Sequence, residues 1–472
     1  MSFKNSQLLD IVVIGSGIAG LNFIDKYLER GKKISVISPS GYKNNIIDKK
    51  LNIKLLPSQM RGQYSKIDNY FKANNLNLRS NCKAIGSLNF GGLSNYWGLQ
   101  IDNFITSDQK DLKKKTLFDI KKNFLEFLEK FSLIGTFKLN GHIYNNEFNI
   151  PKQFNDLNKK KNNGLFCKKP ILAFSTSKNF KGNLNSINEK KQKLTAQNFF
   201  KKMKNKKNII IYDYCLEKIS KKNGLLYLEC KKNKKIKNFL AKKVVFASGT
   251  IATTKILMDF LKIKKEVKIK HHPRLLSLFF SKRKLKYDLN FTPSFLQIVS
   301  KSSNDHFTAD LRPGNKLITK SIIDAFPFVK PFEFMINILR KRLIFSNFLV
   351  DSKYSNLFLK KNKKKFDLYS KNKNLDKILK NKNKKIFNFL RTKKIIFPIY
   401  KTFFPGNGAD YHYFGSIPFQ KKGKLAVNNN CQLLSSKNIY IVDGSVFNFR
   451  TNKYPLGIIA ANARRVAKFL SR

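Results

Sequence analysis

"DIVVIGSGIAG", residues 10–20, is the stretch on which the reading of this chain turns. The apolar run "LDIVVI" (9–14) lacks polar alternation, as a strand buried on both faces of a parallel sheet requires. Gly15, Gly17 and Gly20 follow at GxGxxG spacing. The first glycine makes a tight turn, the second admits a pyrophosphate to the backbone, and the third lets a helix close on the strand with its N-terminus facing the anion. Such a triplet alone is a weak signal. Here "LNFIDKYLERG" continues as a helical pattern closed at Gly31, and "KKISVIS" supplies a second strand, so residues 9–38 form a βαβ unit. This predicts a dinucleotide site built on Gly15, Ser16, Gly17, Ala19 and Gly20. The strand-end position that normally carries an acid for the ribose hydroxyls is Ser38, a weaker partner than a carboxylate.

Outward from this unit, 472 residues with 42% hydrophobic content suffice for a sizeable core in two or three domains, without an internal repeat. The formal charge of +65 has two readings. One is a basic surface for nucleic acid or anionic lipid. The other is composition: the excess is mostly lysine spread along the chain, alongside abundant Asn, Ile and Phe, as AT-rich coding would produce. No nucleic-acid motif accompanies the lysines, so nucleic acid is not expected as a partner. Peripheral attraction to the inner face of a membrane follows from the charge whatever its origin. Cys82, Cys167, Cys215, Cys230 and Cys431 are odd in number and contain no CxxC pair, which argues against a disulfide framework or zinc site and fits a reducing, cytoplasmic setting. The N-terminal apolar run reads as strand and loop rather than a signal peptide, and no run of 18 uncharged apolar residues suggests a transmembrane helix.

Further along, residues 101–200 mix apolar patches with charged runs and show no sharp boundary. From 207 onward "KNIIIYDYCLEKISKKNGLLYLECKKN" alternates as strands joined by a turn at "KKNG". "AKKVVFASGT" is a buried strand leading into the helix "IATTKILMDFL", and "KNIYIVDGS" is a last buried strand. Within 372–392, Leu375, Ile378, Leu379, Ile386 and Leu390 keep helical spacing. The aromatic and basic segment 325–348 reads as core or pocket lining, with a membrane-surface element as the other reading.

Three further motifs bear on chemistry. In "NFGGLSNYWGLQ" (89–100) the adjacent glycines allow backbone N–H groups to crowd against a flat or anionic group, and Trp97 is the chain's single tryptophan. "GADYHYFGSIPF" (408–419) carries His412, one of five histidines and by itself more often structural than catalytic. In "TNKYPLGII" (451–459), Pro455 sits where a helix would begin, since proline lacks only an N–H that the first turn leaves unused.

Taken together, "VVIGSGIAG", "GGLSNYW", "VVFASGTIATTKIL", "YHYFGS" and "NIYIVDGSVFNFRTNKYPLGIIAANARRVAKFL" resemble, in order and spacing, the glucose–methanol–choline (GMC) family of FAD-dependent oxidoreductases, over roughly residues 8–40, 86–100, 193–258 and 408–472. The resemblance implies an α/β fold: a Rossmann-like FAD-binding domain from residues 1–100, 193–262 and 425–472, and an α+β substrate domain with an antiparallel sheet from 101–192 and 263–424. It implies non-covalent FAD, because Tyr96 stands where some sugar-oxidising members carry a flavin-linked histidine. The implied cofactor wall extends to Gly91, Gly92, Ser94, Asn95, Trp97, Cys215, Ala247, Gly249, Asp443, Gly444, Pro455 and Leu456. The C-terminal helix would aim its N-terminus at the flavin's pyrimidine edge, which becomes anionic on reduction.

The family's proton acceptor falls on His412, and its second side chain, a His or Asn just before the helix proline, falls on Tyr454. A phenol donates a hydrogen bond but is a poor base at neutral pH. The expectation is hydride transfer from an alcohol, a sugar or polyol among the candidates, to FAD, with His412 as base and an electron acceptor of unspecified kind. Tyr454 takes the second role, Asn452 swings into it, or the site is inactive. Two other readings stay open: a flavin-binding homologue without alcohol turnover, and a basic membrane-surface or anion-binding protein.

Overall fold

The computed structural model describes residues 7–39, 70–102, 108, 111–158, 164–177, 180–203, 207–287, 293–302, 304–315, 319, 323, 327–371, 374–420 and 422–472. The chain is a mixed α/β structure with several sheets. Its N-terminal strand, Gln7–Ile14, is flanked in parallel by Ile34–Ile37 and by the long strand Lys235–Phe246. Ile209–Tyr212 extends one side, and Ile439–Ile441 runs parallel to Val244–Phe246 on the other. Residues far apart in sequence therefore share one parallel set. Val12, Val13, Val36, Val244 and Val245 are fully buried, as strands covered on both faces must be.

The first half of Lys235–Phe246 pairs antiparallel with Leu225–Lys232, which in turn pairs with Cys215–Lys222. The turn between the last two is Asn223–Gly224, both at positive φ (48° and 76°), matching the twist a two-residue hairpin needs.

The turn after the N-terminal strand uses glycine's freedom twice. Gly15 has φ of +99°, and a Cβ on Gly20 would stand 2.2 Å from the Gly15 carbonyl oxygen. The helix Ile18–Leu28 can therefore close on the strand tip, and Gly31 (φ +71°) turns the chain after it. The C-terminal helix, Leu456–Leu470, begins immediately after Pro455 and packs on Ile18–Leu28 and on Lys114–Phe131. The last of these lies in the stretch where sequence alone shows no boundary. It buries Ile120, Phe124, Phe127 and Leu128 on one face.

A second, six-stranded sheet is antiparallel throughout, in the order Ile396–Phe403, Arg274–Ser281, Leu343–Val350, Phe307–Pro313, Leu296–Ser300, Leu165–Lys168. The helix Leu375–Thr392 covers it, burying Leu375, Leu379, Ile386 and Leu390 and stacking Phe387 on Tyr400 at 4.1 Å between centroids. Residues 372 and 373 of the expected helical stretch lie outside the described residues, and Ile378 is not buried.

The aromatic segment 325–348 divides in two. Leu343–Phe348 is central sheet, as core lining requires, whereas 327–340 has no buried residue; 325 and 326 lie outside the described residues. No described helix is long and apolar enough to cross a membrane.

Candidate cofactor cleft and active centre

The tip of the N-terminal strand opens into a cleft that encloses about 1190 Å³ of empty space, part of it open to solvent. Gly15, Ser16, Gly17 and Ala19 form its floor, with Ser38 beside them; Gly91, Gly92 and Ser94 close one side, and Cys215, Ala247 and Gly249 another. Gly444 and Leu456 complete the far end with Asp443. Residues more than 400 positions apart in sequence thus meet in one concavity. Gly20, Asn95, Trp97, Pro455, His412 and Tyr454 stand outside this lining. Gly20 supports the floor from behind. The Asn95 amide donates to Phe90 O at 2.7 Å, and the Trp97 indole donates to Leu194 O at 3.2 Å, so both brace the double-glycine loop.

The walls fit a dinucleotide. The helix Ile18–Leu28 starts at Gly17 with no side-chain cap and no acid in its first turn, leaving backbone N–H groups and the positive end of the dipole for an anion. A Cβ on Gly92 or Gly249 would meet no protein atom within 4 Å, so both glycines front open space. Ser38 is buried, and its hydroxyl hydrogen-bonds Ser16 Oγ at 2.8 Å; Ser16 Oγ in turn accepts from Gly91 N at 2.9 Å. The serine that replaces the usual acid therefore couples the glycine turn to the double-glycine loop, a role invisible in one dimension. The Tyr96 phenol accepts a hydrogen bond from the Asn89 amide.

Asp443 is committed to protein. One carboxylate oxygen accepts from Gly249 N (3.1 Å) and Thr253 Oγ1 (2.5 Å), the other from Ser445 N (3.0 Å) and the Ser445 hydroxyl. Burial pushes its pKa up, against these donors. The side chain pins the start of the Thr250–Phe260 helix to the strand end before the C-terminal helix, which shapes the far end of the cleft.

Beside that end, His412 and Tyr454 meet edge to face, 5.4 Å between ring centroids and 76° between planes. The chain ties both to the cleft: Tyr411 and Tyr413 line it on either side of His412, and Leu456 lines it two residues after Tyr454. His412 Nδ1 and the Tyr454 hydroxyl are sealed from solvent and have no hydrogen-bond partner among the described residues. Unpaired buried polar atoms cost about 1–3 kcal/mol each, so two on adjoining rings point to another polar group that would pair with them. Burial lowers the His412 pKa to about 4; the charge of Asp410 opposes this and Arg274 adds to it. The imidazole is therefore neutral near pH 7 and keeps a lone pair free.

The surroundings hold the pair rigidly. Asp410 is fully engaged: one oxygen meets His271 Nδ1 at 3.1 Å and the other accepts from His272 N at 2.6 Å. Arg274 lies over the Tyr411 ring at 4.8 Å, and Tyr411 takes a positive φ of 68°. On the other side, Asp102 N donates to Tyr454 O (3.1 Å) and Asp102 Oδ2 accepts from Lys453 N (2.9 Å). Asn452 is fully buried: its amide oxygen accepts from Tyr454 N at 3.0 Å and its amide nitrogen donates to Asp102 O at 3.3 Å. It is a brace for Tyr454 rather than a group poised to replace it. Asp108 accepts from the backbone of Arg450, Thr451 and Asn452, fixing the approach to the helix. Nothing in the sequence flags Asp102, Asp108, His271 or Asp410, because their partners are remote.

No family model matches the chain and no curated protein matches it by sequence. Among solved structures the chain is similar to pyridoxine 4-oxidase from Mesorbium loti, at 11% identity, covering 98% of this chain and 99% of that one with a TM-score of 0.54. At that identity the likeness is one of fold.

Proposed function

We propose that this chain is a GMC-type FAD-dependent oxidoreductase that oxidises an alcohol. The observation that carries the reading is the edge-to-face pair of His412 and Tyr454, whose Nδ1 and Oη are each unpartnered among the described residues, beside a glycine-walled cleft at the start of the C-terminal helix. The fold shared with an enzyme named an oxidase, and the motif resemblance, support it. FAD would lie along Gly15, Gly17, Ser38, Gly91, Gly249 and Gly444, in a flavin domain of 1–100, 193–262 and 425–472, with the substrate domain from 101–192 and 263–424. When bound, FAD supplies the hydride acceptor. His412, neutral at working pH, takes the substrate hydroxyl proton as the carbinol hydrogen leaves with its electron pair, and a carbonyl results. Tyr454 donates a hydrogen bond to the substrate oxygen and orients it; it does not act as the base. Flavin is held non-covalently. Pyridoxine, which the structural neighbour's name mentions, joins sugars and polyols as a candidate substrate.

The test is the visible spectrum of the purified protein before and after acid precipitation, then anaerobic bleaching with pyridoxine, sugars and simple alcohols. Flavin freed into the supernatant and bleached by one of these compounds is the expected result. Protein that takes up no flavin even when soaked with it would overturn the reading. The second reading, a flavin-binding homologue without turnover, draws on the bulk of Tyr454 against His412. Flavin that binds but is bleached by none of these compounds favours the second reading, and Tyr454→Phe tests the phenol's part in the first. The phenol leaves no partner unsatisfied, so folding stability should hold or rise slightly, while kcat/KM falls about tenfold through the lost substrate hydrogen bond. An unchanged kcat/KM would remove Tyr454 from the mechanism.

A further inference from the structure

An apolar knob stands at one end of the six-stranded sheet. Pro327–Phe332 forms a 3₁₀ turn that runs into the helix Glu333–Arg340. Phe332, Phe334, Met335 and Ile338 are 57%, 76%, 55% and 52% exposed. Single exposed hydrophobic residues are ordinary on a protein surface; a contiguous group of this size marks an interaction site.

The base of the knob is basic. Backbone hydrogen bonds from Ser281 N to Arg342 O (2.7 Å), Leu285 N to Lys341 O (2.7 Å) and Lys282 N to Ile395 O (2.9 Å) gather the 282–286 loop and the turn before Ile396 around it. Lys282, Arg283, Lys284, Lys341 and Lys394 are exposed in this collar. Across 327–342, 282–286 and 391–394 the only acidic residue is Glu333. The collar's sign selects the partner. A second copy of this chain would set an identical basic collar against it, and each chain carries +65. An anionic bilayer complements both parts: its headgroups meet the cations, and its interfacial region takes the aromatic and aliphatic side chains.

We propose that residues 327–340 dock this protein on an anionic lipid surface, with Phe332, Phe334, Met335 and Ile338 entering the interface and the surrounding lysines and arginines on the headgroups. This rests on surface geometry alone and is independent of the chemistry in the cleft.

The test is co-sedimentation of the full chain with phosphatidylcholine vesicles, pure or with about one-third phosphatidylserine, at about 0.15 M and about 1 M salt, where the Debye length falls from ~8 to ~3 Å. Diffuse attraction of so basic a protein disappears at high salt, whereas inserted side chains keep part of the binding. The wild type is expected to bind the anionic vesicles at both salts. The variant Phe334→Ser/Met335→Ser/Ile338→Ser should bind at least about tenfold more weakly, most clearly at high salt. A control at two other exposed apolar sites, Ile143→Ser/Ile236→Ser (both 61% exposed), should match the wild type. If the triple variant fails to elute and give far-ultraviolet circular dichroism like the wild type, Phe334→Ser alone replaces it. Equal binding by variant and wild type would overturn the proposal in favour of diffuse charge. No binding by the wild type would overturn it too, as would a dimer that the variant converts to monomer, which would make the occupant a second copy.

Discussion

His412→Ala is expected to leave flavin bound and to slow substrate-dependent flavin reduction by about 10²-fold or more, the usual contribution of a positioned general base. His412 lies outside the cleft lining, so its removal takes no wall from the cofactor site. Its imidazole has an unpaired Nδ1, so folding should survive the change. The acid limb of the wild-type kcat/KM profile makes the same point differently. Burial lowers the His412 pKa to about 4 from an ordinary 6.5, so the base form persists as pH falls and is lost only near the lower value. Stopped-flow bleaching of the bound flavin measures the first result and a pH series the second. Unchanged reduction in the alanine variant would rule His412 out as the base, whereas an acid limb at the ordinary histidine value would show that burial does not depress its pKa.

Asp25→Ala should lower the unfolding free energy by about 3–5 kcal/mol, the cost of leaving a buried charge without its partner. Arg464, on the C-terminal helix, is 2% exposed, and its Nη1 meets Asp25 Oδ2 at 2.8 Å. Lys130, from Lys114–Phe131, reaches the same carboxylate. Among the described residues, Arg464 would then keep the Glu29 carboxylate at 3.6 Å as its ion-pair partner. Around this core, burial pushes the Glu29 pKa up, but hydrogen bonds from Lys130 and Lys26 more than reverse it and hold the value at about 2. Lys468 pairs with Glu126 at 2.7 Å. In a chain so rich in cations, these acids are placed where three helices meet. The urea midpoint should fall with the m-value unchanged, and a loss below about 1 kcal/mol would show that the helices hold by apolar packing alone. Asp25→Asn keeps an acceptor for Arg464 and should cost less.

The glycine turn, the parallel strands, the Asn223–Gly224 hairpin and the helix after Pro455 were all legible in one dimension. Each depends on a local backbone demand or a short hydrophobic period: positive φ at Gly15, uninterrupted apolar runs at 11–14 and 439–442, a proline at a helix start. Such signals need no knowledge of distant residues. The candidate site was legible in part, through motif order. His412 and Tyr454 could be picked out; that their rings meet, that Asn452 is spent on the Tyr454 backbone, and that Ser38 joins Ser16 could not.

By itself, then, the sequence determined which segments are strands and helices around a glycine turn, because chain geometry acts over a few residues. Only the tertiary structure decided how polar and charged groups are settled. Asp25 finds Arg464 across 439 positions, and Asp443 ties itself to Gly249 across 194. The same holds for exposure. The apolar patterns of 327–340 and 343–350 read alike, yet the first stands in solvent and the second is central sheet. Burial is set by what packs against a segment, and those neighbours come from elsewhere in the chain.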